Sequence, residues 1–216
     1  MNKDCFVIVC QNINIDLSKW KDCQFIGVEQ GAIKLINENY PIVLACADFD
    51  HTSKEQLEII KKHVKNIEIL PQDKDILDSE YAIKKAIALG AKKLILVVDG
   101  YRWGMIYGLI NLLIKYHDYN LEIYNETNIL KFINTTTFFL KTEYLEYRYF
   151  DFLPLMDTKL NLKGFKYPLN ENYELKPYDN YFISNELEAL RGEINIKQGC
   201  GILTISKVYE KMTNII

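Results

Sequence analysis

The chain has 216 residues and a formal net charge of -3, enough for one domain or two small ones at the usual ~100 to 200 residues per domain. Mild acidity without a Lys/Arg-rich block argues against a nucleic-acid or membrane-surface footprint. Five cysteines, an odd number with no Cys-x-x-Cys pair and no zinc-like spacing to a histidine, argue against a disulfide framework or structural zinc and fit reduced thiols in a cytoplasm.

In chain order, the apolar run Cys5 to Cys10 is the first strand candidate and is far too short for a signal core or a membrane span. Gln24 to Val28 is the second. It leads through Gly27-Val28-Glu29-Gln30-Gly31-Ala32 into a helix, which makes Glu29 either an acid at the sheet edge or an ordinary first-turn acid. Ile42 to Ala47 reads as a buried strand ending in Asp48-Phe49-Asp50. Side chains alternate along a strand, so Asp48 and Asp50 are expected to point the same way, beyond the carboxyl end of a sheet where ligands of open α/β folds bind. Two such carboxylates either share a hard cation, with magnesium and substrate phosphates the natural guests, or are solvated loop acids with Asp50 starting the next helix.

Ser53 and Gln56 form a capping-box pattern that opens a helix to about Val64. After a strand at Ile67 to Leu70, Asp75 and Asp78 have the spacing of a capping pair ahead of a helix from Ser79 to Leu89, which Gly90 closes. The competing reading makes one of them a further ligand beside Asp48 and Asp50. Lys93 to Val98 is a strand followed by Asp99-Gly100-Tyr101-Arg102-Trp103-Gly104, a corner able to offer backbone N–H groups and Arg102 to a phosphate, or simply a tight turn with a surface arginine. A helix from Gly104 to Tyr116 and a strand from Leu121 to Tyr124 follow. Strand and helix in regular alternation imply a mostly parallel open sheet flanked by helices.

After residue 125 Thr, Phe and Tyr dominate, turn signals such as Lys163-Gly164 and Gln198-Gly199 recur, and helical periodicity persists only near Leu187 to Leu190. The expected organisation is therefore α/β plus all-β: an α/β domain over residues 1–126 and a β-sandwich over 127–216.

Four short runs carry a family resemblance. Glu29-Gln30-Gly31-Ala32-Ile33, Ala47-Asp48-Phe49-Asp50-His51, Lys74-Asp75-Ile76-Leu77-Asp78 and Gly100-Tyr101-Arg102-Trp103-Gly104-Met105 align in order with Asp-Gly-Gly-Ala-Asn, Gly-Asp-Phe-Asp-Ser, Lys-Asp-x-Thr-Asp and Gly-Gly-Arg-x-Asp-His. Further on, Gly164-Phe165-Lys166-Tyr167-Pro168-Leu169, then Ser184-Asn185-Glu186 and Gly201-Ile202-Leu203, match Gly-Leu-Lys-Tyr-Pro-Leu, Ser-Asn-Glu and Gly-x-Leu. From about Gly27 to Leu203 the chain resembles the thiamine pyrophosphokinases.

That resemblance implies a homodimer that transfers the terminal pyrophosphoryl group of ATP to thiamine, thiamine being held between subunits; the cytoplasmic location is expected from the cysteines. It implies magnesium at Asp48, Asp50 and Asp75, with Asp78 either accepting the hydroxyl proton or capping its helix. It implies nucleotide contacts from Glu29, Gln30 and Arg102, and thiamine contacts from Ser184 and Asn185, while Asp99 lies close enough in sequence to stand in for an acid lost from the Arg102 corner or is pointed away by a tight turn. The chain departs from the pattern where Glu29 adds a methylene, Gln30 and Tyr101 replace glycines, Leu77 replaces threonine, and Gly104-Met105 replaces Asp-His. Those changes set a second expectation beside the enzyme, a family member that binds thiamine or its phosphates without turnover; an unrelated metal-dependent phosphate-ester hydrolase leaves the C-terminal match unexplained.

Overall fold

A computed structural model describes residues 2–73, 75–99 and 102–208. The chain divides into two compact units, Met1–Glu126 and Thr127–Ile216. Among the described residues no helix is long and apolar enough to cross a membrane.

In the first unit, strands β1 (Cys5–Val9), β2 (Gln24–Gly27), β3 (Ile42–Ala47), β4 (Ile67–Ile69), β5 (Lys93–Val97) and β6 (Leu121–Tyr124) alternate with helices after β1. These are α1 (Gln30–Asn37), α2 (Lys54–His63), α3 (Asp78–Ala88) and α4 (Trp103–Lys115). The strands pair in parallel in the order β6-β5-β1-β2-β3-β4. Every residue of β1 is buried, and Leu94 to Val97 of β5 have no exposed surface. Strands covered on both faces need apolar side chains throughout, which is why they stand out as continuous hydrophobic runs.

The chain winds outward from β1 to β4 and then returns across it to β5, so the carboxyl ends of β2, β1 and β5 flank the reversal where open α/β sheets bind ligands. Helix α1 starts close over this edge. A Cβ on Gly31 would sit 1.8 Å from the Val9 carbonyl oxygen, so only glycine allows the approach.

Two local expectations need amendment. The capping box at α2 is present, with the Gln56 N–H donating to Ser53 Oγ at 3.2 Å and the Ser53 N–H to Gln56 Oε1 at 3.0 Å. Asp75 and Asp78, however, do not cap α3 reciprocally: Leu77 holds the N-cap position and Asp78 is already helical.

The second unit comprises β7 (Asn128–Ile133), β8 (Thr137–Leu140), β9 (Tyr149–Pro154), β10 (Thr158–Lys163), β11 (Leu169–Leu175), β12 (Asn185–Glu186), β13 (Arg191–Gln198) and β14 (Gly201–Ser206). They pair antiparallel in two sheets, β12-β9-β14-β7 and β11-β10-β13-β8. Phe139 of β8 meets Phe150 of β9 edge-on with ring centroids 5.4 Å apart, and Phe150 meets Phe165 at the same distance. These rings join the sheets into a sandwich. No helix forms at Leu187 to Leu190. Leu187 bridges Phe165, and the Glu188 and Ala189 N–H groups both donate to the Gly164 carbonyl, so the backbone donors a helix needs are satisfied across the turn instead.

Candidate active site

At the end of β3 the alternation rule stops applying. The strand ends at Ala47, and Phe49 adopts φ +59°, a left-handed conformation that bulky residues rarely occupy. Its ring is buried. The turn leaves Asp48 half-buried and sends Asp50 to the surface, where Asp50 pairs with His51. The two carboxylates therefore do not share one direction.

Glu29 lies at the carboxyl end of β2 with φ 48° and ψ -128°, again a backbone region that favours glycine. Thr52 Oγ1 donates to its Oε2 at 2.8 Å, while Oε1 is buried and has no hydrogen-bond partner among the described residues. Burial pushes the Glu29 carboxyl above its ordinary range, and the neighbouring Asp48 adds to the shift. Next to it, the Gln30 side chain turns toward α2, donating to the His51 carbonyl at 2.7 Å and pairing with the Gln56 amide.

Asp78 completes the acid edge from the first turn of α3. Ligand oxygens of Glu29, Asp48 and Asp78 all lie within 4.8 Å of one another. The metal set expected from sequence was Asp48, Asp50 and Asp75. The structure instead gathers Glu29, Asp48 and Asp78, because Asp50 and Asp75 are exposed outside that group. Three carboxylates, one with an unsatisfied buried oxygen, form a hard, oxygen-only donor set of the kind that holds magnesium. Cys10 and Cys46 lie near Asp78, and burial raises both thiols, that of Cys46 to about 12, leaving them protonated and inert.

At the end of β5 the Asp99 N–H donates to Gln11 Oε1 at 2.6 Å, tying the ends of β1 and β5 together. Arg102 is exposed at the N-cap position of α4. Gly100 and Tyr101 of the same predicted corner lie outside the described residues, as does Lys74.

In the second unit, Ser184 takes φ +57°, and its N–H donates to Asp151 Oδ1 on β9. Its side chain is exposed. Asn185 faces the other way and is 1% exposed. Its amide donates to the Tyr167 carbonyl at 2.8 Å and accepts from the Tyr167 and Glu186 N–H groups at 3.0 and 2.9 Å. Asn185 thus clamps the Lys166-Tyr167 turn to β12, with its amide oxygen taking two backbone N–H groups and its amide nitrogen giving one bond back. Glu186 receives Arg148 Nε at 2.9 Å and Lys166 Nζ at 3.0 Å, and these bonds hold its carboxyl below the usual range. Sequence reasoning did not single out Asp151, Gln11 or Thr52. Each acts through a partner far away in the chain, which no local pattern marks.

Residues 135–203, which include Asp151, Ser184 and Asn185, match the family described as thiamin pyrophosphokinase, vitamin B1 binding domain. The thiamine pyrophosphokinase of Bacillus subtilis (strain 168) is 28% identical over 200 residues, covering 89% of this chain and 92% of the relative. The crystal structure of thiamine pyrophosphokinase from Bacillus subtilis superposes with a TM-score of 0.82 at 26% identity, over 94% of this chain and 98% of that one. The chain thus resembles thiamine pyrophosphokinases along most of its length and carries the match to their vitamin B1 binding domain. The family's fold extends further than its sequence similarity: the enzyme from Candida albicans, at 16% identity, still gives a TM-score of 0.75 over 95% of this chain and 90% of its own. At that identity the likeness speaks for the fold alone. Both parts of a thiamine pyrophosphokinase, α/β and β-sandwich, are thus present here.

Proposed function

We propose that the chain is a working thiamine pyrophosphokinase. The hydroxyethyl oxygen of thiamine attacks the β-phosphorus of ATP, the bond from that phosphorus to the oxygen bridging to the α-phosphate breaks, and AMP and the hydroxyl proton are released as thiamine diphosphate forms. The observation that carries this reading is the convergence of Glu29, Asp48 and Asp78 at the sheet's carboxyl edge, in a chain whose relative over 89% of its length bears that name.

The three carboxylates fit magnesium, which when bound neutralises charge on the polyphosphate. Glu29, Asp48 and Asp78 hold the ion, Arg102 binds phosphate oxygens, and Ser184 offers its exposed hydroxyl to thiamine. Gln30 is not assigned a nucleotide contact, since its amide is engaged with His51 and Gln56. Asp99 shapes the nucleotide corner through its backbone N–H. The homodimer and a cytoplasmic setting belong to the proposal too. The first rests on the family, and the second fits five free cysteines, four of them buried.

Incubation of the purified protein with ATP, magnesium and thiamine should yield equal amounts of AMP and thiamine diphosphate. Thiamine binding in calorimetry without either product would overturn the catalytic reading. Sedimentation at micromolar concentration checks the dimer, and a monomer would remove it from the proposal.

A further inference from the structure

The acid group has a mechanical problem, since carboxylates within a few ångströms repel one another when no cation lies between them. Two of the loops that carry them also contain strained backbone, at Glu29 and at Phe49. Such conformations persist only where their surroundings over-determine them. Side chains of the two loops do so here. Gln30 donates to the His51 carbonyl at 2.7 Å and to Gln56 Oε1 at 2.9 Å, and the Gln56 amide returns a bond to Gln30 Oε1 at 3.2 Å. Gln56 Oε1 also accepts the Ser53 N–H at 3.0 Å, and Thr52 Oγ1 reaches Glu29 Oε2 at 2.8 Å.

We propose that the Gln30–Gln56 amide pair is a positioning latch, tying the Glu29 corner to the loop after Asp48 and so setting the spacing of the two acids for a divalent cation. His51 and Thr52 of one loop are tied directly to Gln30 and Glu29 of the other, and Ser53 is joined to them through Gln56. The bonds leave Asp48 and Phe49 at one end of a closed ring and Glu29 at the other. Gln56 does two jobs at once, since the amide that completes the α2 capping box is the one that grips Gln30. The latch rests on the reading of Glu29, Asp48 and Asp78 as a cation site.

The test is Mn2+ binding by calorimetry on the intact protein without nucleotide, beside the thermal midpoint of each variant. Residues that orient metal ligands typically change affinity ten- to a hundredfold. Gln30→Ala should weaken Mn2+ binding by about tenfold or more. Ser53→Ala, which removes the hydroxyl half of the capping box but leaves the Ser53 N–H on Gln56, should lower the thermal midpoint and leave Mn2+ affinity unchanged. Gln30→Ala/Gln56→Ala should bind no more weakly than Gln30→Ala, as expected for partners in one interaction. Wild-type affinity in folded Gln30→Ala would overturn the latch alone, and so would an equal loss in Ser53→Ala. A wild-type protein that binds no Mn2+ would overturn the cation site and the latch with it.

Discussion

The two units each place a non-glycine residue in a left-handed conformation beside candidate site residues of their own, Phe49 in the first and Ser184 in the second, and they put the strain to opposite uses. After β3 the reversal at Phe49 separates two acids, keeping Asp48 inward and releasing Asp50 to pair with His51. Around it, polar capacity is left unfilled, down to a buried Glu29 oxygen with no partner among the described residues. At β12 the reversal presents one serine hydroxyl while its neighbours are engaged within the protein, Asn185 by backbone groups and Glu186 by two cations. An unsatisfied group invites an ion, whereas a saturated frame holds a contact in place.

The largest effect should come from the acids. Asp48→Asn or Asp78→Asn should cut turnover on the order of a thousandfold, the scale of losing a preorganised electrostatic group, while Asp50→Asn should cost less than about tenfold. Initial rates of AMP release with saturating magnesium measure both. An Asp50→Asn loss as deep as that of Asp48→Asn would mean that the exposed acid swings in, and the contrast between inward and outward carboxylates would fail.

Asn185 tests the other side of the comparison. Removing a buried amide leaves the Tyr167 carbonyl and the Tyr167 and Glu186 N–H groups without it, and each orphaned group costs roughly 1–3 kcal/mol. Asn185→Ala should therefore lower urea stability by about 3 kcal/mol or more on that scale. Full stability with thiamine affinity lost would instead make Asn185 a ligand contact and the frame around Ser184 less saturated than described.

Much of this fold is legible in the sequence because buried parallel strands must be apolar: β3 at Ile42–Ala47 and β6 at Leu121–Tyr124 carry the expected bounds. The Ser53–Gln56 capping box is equally legible, being a local bond pattern. The site is less so. Pairing Asp48 with Asp50 assumes that the strand continues, and nothing in Phe49 marks it as the left-handed residue that ends it. The apolar spacing at Leu187 to Leu190 suggests a helix only until Gly164 is seen to accept its backbone donors. Asp151 and Thr52 matter through residues 33 and 23 positions away, a relation that exists only once the chain has folded.

Asp151→Ala should sharpen the role of the second corner. Its carboxylate holds the Ser184 N–H, and a charge-assisted bond of that kind is among the stronger ones. Its loss should raise the thiamine dissociation constant by about tenfold, equivalent to about 1.4 kcal/mol, with Mn2+ affinity at the acid edge unchanged. Asp151→Asn, which keeps an acceptor, should recover most of the loss. Equal deficits in both variants would show that the negative charge acts on the ligand directly.

The smallest effect expected is a pH dependence at Glu186. Arg148 and Lys166 lower its carboxyl from the ordinary 4.5, so the folded state holds the proton less tightly than the unfolded one. The stability this contributes is fully present above the unfolded value and fades as pH falls through 4.5 toward the lower folded value. Glu186 is exposed enough to water for salt to weaken these pairs further. Urea midpoints of wild type and Glu186→Gln should differ slightly at pH 7 in low salt and draw together as pH falls below 4.5. A gap that persists at low pH would show that Glu186 supports β12 by its hydrogen-bonding shape rather than its charge, extending to this residue the uncharged, saturated framing that Asn185 supplies.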